Sequence, residues 1–137
     1  MRSIITGLVL AALSLTAHAD DWLTVYGDPA QGEADLIQIR PASISRQGHF
    51  TIEVRVTRSA PREAYGGGQY RGHHSTAVVD CDTHTAWYVQ MKFYGQPNWA
   101  GPVIMERSFR PGEAPVAFKQ IPEQADRLVK AACKLPR

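Results

Sequence analysis

No stretch of the sequence is long and apolar enough to read as a membrane-spanning helix: the one extended apolar run, residues 4–15, falls short of the roughly twenty residues a bilayer requires. Charge of either sign is not in large excess. The 15 Lys and Arg against 13 Asp and Glu leave a formal net charge of +2, which argues against a dedicated nucleic-acid binder. Cysteine is confined to Cys81 and Cys133, and neither lies in the paired spacing of a cysteine-based zinc site. A nucleophile-elbow motif is lacking as well. Ser75 directly follows His74, but sequence neighbours seldom reach triad geometry. These absences point away from an enzyme and from a bound cofactor, and towards a binding or accessory role.

Met1 and Arg2 form a short positive start, the apolar run follows, and Ala17-His18-Ala19 places small residues where a signal peptidase needs them. This pattern predicts a signal peptide over residues 1–19 and a periplasmic or secreted protein, with association to the outer surface as a further alternative. The cleavage point has no cysteine, so a lipid anchor by the usual bacterial route is not expected. Subtracting 19 from 137 leaves 118 residues, and loss of Arg2 leaves 14 bases against 13 acids, a net +1. That length suits a single domain over residues 20–137. In an exported chain two cysteines most simply form one disulfide, the alternative being a reactive or metal-binding thiol.

The centre of the chain is residues 75–93. Ala77, Val79 and Cys81 alternate with Thr76, Val78 and Asp80; Trp87, Val89, Met91 and Phe93 then alternate with Tyr88, Gln90 and Lys92. This period of two predicts paired strands with the first set of each on a buried face, closed by a turn at Asp82, Thr83 and His84. Tyr88 is then expected on the opposite, exposed face, as a surface for a second copy of the chain, and Trp99 as a second exposed aromatic contact.

Other strands are expected at residues 22–26, 36–40, 50–58 and 103–109. The third is the clearest, with Phe50, Ile52, Val54 and Val56 alternating with Thr51, Glu53, Arg55 and Thr57. Residues 59–74, which include Gly66, Gly67, Gly68 and Gly72, read as a mobile loop. From Pro122 the period changes: Ala125, Leu128, Val129, Ala132 and Cys133 fall on one stripe of a helix. A disulfide from Cys81 to Cys133 would then fasten that helix to the covered face of the sheet.

Charge is unevenly placed, with five acids and no base in residues 20–39 and six arginines against Glu53 and Glu63 in residues 40–71. The two regions are expected to face each other. Within the glycine-rich segment, Arg58, Arg62, Tyr65, Tyr70 and Arg71 have the Arg and Tyr content favoured at interaction hot spots, and are the candidate binding residues. His73, His74 and His84 with Asp80 and Asp82 form the one cluster of metal-ligand types, but their spacing fits no ligand framework and adjacent histidines on a strand point to opposite faces. No metal site is assigned.

The order of features resembles the surface-adhesin protein E family. It is carried by Trp22 on an N-terminal strand, Ser43-Ile44-Ser45-Arg46-Gln47-Gly48 before a turn, Val79-Asp80-Cys81 at a strand end, and Ala132-Cys133 on a terminal helix. The resemblance implies an antiparallel sheet with a helix packed on it. It also implies an adhesin-like protein partner, a host matrix protein or plasminogen, and self-association into a homodimer. The expected fold class is thus α+β: an antiparallel β-sheet of about five or six strands, one C-terminal helix packed on it, and one disulfide. The expected function is an exported non-catalytic binding module, the alternative being a periplasmic accessory protein for envelope maintenance or metal handling.

Overall fold

The computed structural model describes residues 21–42 and 49–136. The expected signal peptide, residues 1–19, and the segment Ser43-Ile44-Ser45-Arg46-Gln47-Gly48 lie outside the described residues. Six strands are formed: β1 (Leu23–Tyr26), β2 (Leu36–Pro41), β3 (Phe50–Glu63), β4 (Gln69–Asp80), β5 (Thr85–Tyr94) and β6 (Val103–Ser108), followed by a single α-helix among the described residues, α1 (Gln124–Cys133). They make one antiparallel meander in the order β1-β2-β3-β4-β5-β6, and the α+β expectation holds.

Register explains the core. Ile37 and Ile39 of β2 pair with Val56 and Val54 of β3. In β4, Ala77 pairs with Ile52, Ser75 with Val54 and His73 with Val56. Strand alternation sends these residues to one face, and Leu128, Val129 and Ala132 of α1 close over it, all buried. Between β6 and α1, Ala114, Val116, Phe118 and Ile121 complete the same core. Cys81 and Cys133 are joined, as the stripe of α1 and the parity of β4 required. A second tether runs beside the bond: His84 Nε2 in the β4–β5 turn lies 2.5 Å from Asp126 Oδ1 on the helix.

The face assigned to β5 from its alternation is corrected at Trp87 and Tyr88. Thr76 pairs with Gln90 but Ala77 pairs with Tyr88, so Val89 is an extra residue in β5, a β-bulge. The bulge shifts the pattern by one on its N-terminal side. Tyr88, expected outside, is 1 % exposed in the core, while Trp87 moves to the other face and is only partly buried against His49. Tyr88 therefore cannot be the surface for a second copy. The bulge sits where the edge partner changes: Phe109 N–H donates to Val89 O, whereas Tyr88 N–H donates to Ala114 O and Val116 N–H to Ala86 O.

The glycine-rich segment is also corrected. Residues 59–63 and 69–74 extend β3 and β4, leaving a turn at residues 64–68. The turn closes through Ala64 N–H to Gly68 O and Gly67 N–H to Ala64 O. Gly66, Gly67 and Gly68 all take positive φ, a conformation that side chains resist. Glycine here permits a tight hairpin rather than a mobile loop.

Candidate functional site

The hairpin β3–β4 is irregular where its candidate residues lie. Thr57 pairs with Gly72 and Arg62 with Tyr70, so residues 58–61 stand opposite Arg71 alone. This leaves strand carbonyls without ladder partners, and Arg71 supplies them: its Nε donates to Arg58 O at 3.1 Å and its Nη2 to Ser59 O at 3.4 Å. Arg58 turns inward and is 2 % exposed. Its guanidinium meets Asp35 at 3.0 Å and Lys119 O at 2.6 Å. Burial pulls the Asp35 carboxyl upward, but the Ser59 amide and Arg58 outweigh it and hold it below the usual carboxylate range. The acidic and basic stretches of the sequence therefore do meet at the pair of Arg58 with the partly buried Asp35.

The end of the hairpin is held from two sides. Arg107 of β6 donates to Tyr65 O, and to Gly67 O at 2.7 Å, while the Tyr65 hydroxyl donates to Pro115 O at 2.5 Å. Between this hairpin end, the covered face of β4 and β5, and residues 117–120 lies a cavity of about 500 Å³. Arg58, Arg62, Tyr65 and Tyr70 line it, so four of the five candidate binding residues come together, and Arg71 stands behind them as a backbone clasp.

Its deep wall is aromatic. Tyr70 packs against Phe93 with ring centroids 5.1 Å apart, and the His73 ring stands edge-on to Tyr88 at 5.3 Å. His73 Nδ1 lies 2.7 Å from Ser75 Oγ. Burial, with the charge of Arg58 and the neighbouring His74, depresses the His73 imidazole to about 3, so it is neutral at physiological pH. Burial likewise raises the phenols of Tyr65 and Tyr70, the latter opposed by the charge of Arg58, and raises Tyr88 well above its ordinary range. The Tyr88 hydroxyl and the Arg62 Nε are buried without a hydrogen-bonding partner. Nothing in the linear pattern announced His73, Tyr88 or Phe93 as neighbours of the candidate arginines; the bulge at Val89 is what turns Tyr88 towards them.

The histidines do not converge. His73 is in the core, His74 is on the opposite face 3.7 Å from Glu53, and His84 is in the distant β4–β5 turn. Among the described residues no three His, Cys, Asp or Glu side chains are grouped to hold a metal ion.

The outer face of the sheet carries a different construction. The Trp22 ring is flanked by the guanidinium groups of Arg40, 4.2 Å from its centroid, and Arg55, at 4.3 Å, and Arg55 also lies 4.5 Å from the Trp99 ring. Trp99, expected as an exposed contact, is instead partly buried. Its Nε1 donates to Val56 O and His73 O, above Gly72, where an added Cβ would meet Val56 O at 2.7 Å. This row joins β1 to the centre of the sheet. Cation–π contacts are worth about 0.5–1 kcal/mol each at partly exposed sites, so Trp22→Ala is expected to lower stability by about 1–2 kcal/mol. A urea titration reads this directly; an unchanged midpoint would show that the row contributes nothing.

Compared with known families, residues 22–134 match the one described as Surface-adhesin protein E. No curated protein and no solved structure matches the chain.

Proposed function

The chain belongs to the surface-adhesin protein E family, and from that membership we propose that it is an exported, non-catalytic binding module whose protein partner docks at the end of hairpin β3–β4. The observation that carries this reading is the gathering of Arg62, Tyr65 and Tyr70 around one concave opening on a hairpin fixed by Arg107 and Pro115. Arg and Tyr supply large contact area and directional donors, and a fixed hairpin loses little freedom on binding. Arg58 supports this rim from below, since it is buried and paired, while Arg62 and Arg71 are the cations that meet an acidic partner. The partner class this reading takes is a host matrix protein or plasminogen. No helix among the described residues is long and apolar enough to cross a membrane.

Two measurements test this reading. Protease accessibility on intact cells, against a periplasmic control, should show cleavage of this protein while the control survives. Protection until the outer membrane is permeabilised would remove adhesion and favour a periplasmic accessory role. Binding to immobilised matrix proteins and plasminogen should fall roughly tenfold or more in the Arg62→Ala, Arg71→Ala double variant, since charged hot-spot residues commonly contribute above about 1 kcal/mol each. Arg62→Glu, which leaves the Arg71 clasp intact, should do the same in a folded protein. Undiminished binding in both would take the hairpin out of the interface.

A further inference from the structure

We propose that the cavity at the base of hairpin β3–β4 is a binding site for a free small carboxylate with an apolar body, its carboxylate held by the Tyr88 hydroxyl and Arg62 and its body lying on Tyr70, Met91 and Phe93. At about 500 Å³ the space is far larger than a bare anion needs, and falls in the range of pockets that enclose small organic ligands. A ligand there must bring apolar surface.

The polar chemistry follows from two buried atoms. Tyr88 is 1 % exposed and its hydroxyl is without a partner, as is the buried Nε of Arg62. Leaving such a group unpaired costs about 1–3 kcal/mol, and native proteins carry few of them. Both belong to residues that line the cavity, and both are N–H or O–H donors, so the complementary group is an acceptor. Its charge is set by the remaining lining residues. Arg58 is neutralised by Asp35, which leaves Arg62 and Lys119 against Glu63 and hence one positive charge to be met. Only one cation has an orphaned buried donor, so a monoanion fits better than a phosphate dianion. The walls are fixed beforehand by the ring contacts of Tyr70 with His73 and Phe93 and of His73 with Tyr88.

This inference does not rest on the partner reading, because it is tested with small molecules alone. The purified protein is titrated with 4-phenylbutyrate and octanoate, and with 4-phenylbutyramide and 4-phenylbutylamine as matched neutral and cationic probes, followed by calorimetry and by NMR shifts of residues around Tyr88 and Phe93. The carboxylates are expected to bind saturably, with the amide and the amine at least roughly tenfold weaker, the factor that one charge-assisted hydrogen bond supplies. Arg62→Gln and Tyr88→Phe should each weaken the carboxylates by a similar factor, and Arg127→Gln, on the exposed side of α1, should not. Tyr88→Phe removes an orphaned hydroxyl and should leave the unliganded protein no less stable, which separates a ligand contact from a packing role. Absence of saturable binding up to the solubility limit, equal binding of acid and amide, or affinity unchanged in both Arg62→Gln and Tyr88→Phe would each overturn the proposal.

Discussion

Replacing Cys81 and Cys133 together by alanine is expected to lower the unfolding free energy by about 4 kcal/mol, the loop-closure entropy of a crosslink across some fifty residues. The two cysteines are 52 positions apart, and the loop they close contains β5, β6 and most of α1. At 10 residues α1 is shorter than the roughly 12–15 at which an isolated helix becomes marginally stable in water. It is held by packing of Leu128, Val129 and Ala132, by the disulfide, and by the surface contact of Asp126 with His84. Urea titration of the oxidised protein and of the double variant checks the magnitude, and hydrogen exchange checks the place: amides of α1 should lose protection before those of β3 and β4. Matching urea midpoints in the two proteins would show that packing alone secures the helix.

The bond and the helix were legible because each is encoded locally or by counting. The helix stripe from Ala125 to Cys133 needs no knowledge of the sheet, and two cysteines leave one pairing. β3 was legible for the same reason: Ile52, Val54 and Val56 alternate cleanly and lie in the core. Tyr88 was not legible. A β-bulge is set by which strands pair on either side, and β5 exchanges β6 for residues 114–116 at that point, a tertiary event with no signature in the alternation of Trp87, Val89 and Met91. The glycine run misled for a related reason. Three consecutive glycines suggest slack chain, yet positive φ in a tight turn uses the same residues, and the anchors that distinguish the two, Arg107 and Pro115, are about 40 to 50 residues away. The candidate residues were chosen by type, and four of five line one cavity, but its floor is built from β4 and β5 by contacts that composition does not encode.

The second large effect expected is an acid destabilisation that originates at His73. The imidazole is buried among Tyr70, Tyr88 and Phe93, and burial, followed by the charges of Arg58 and His74, holds it at about 3 in the folded state. In the unfolded chain it returns to about 6.5. Above pH 6.5 both states carry a neutral ring and the group imposes no pH dependence. As pH falls below 6.5 the unfolded chain takes up a proton that the folded protein refuses, so stability drops by up to about 1.4 kcal/mol per pH unit. The loss levels off only below about 3, where the folded ring is protonated too, and reaches on the order of 5 kcal/mol. His74, also depressed chiefly by burial, acts in the same direction. The lowered carboxyls of Asp35, Asp80 and Asp126 add their own loss nearer pH 4 and below, so the window from pH 6.5 to 4.5 isolates the histidines. Urea unfolding at half-unit steps across that window should show His73→Gln, which retains a donor for Ser75, with a slope shallower than that of the unmodified chain by about 1 kcal/mol per pH unit. His74→Gln should change it less, because His74 is only about half-buried. Equal slopes in the His73→Gln variant and the unmodified protein would mean that the ring accepts a proton inside the fold, and that the wall between Tyr88 and Tyr70 is polar enough to carry a charge.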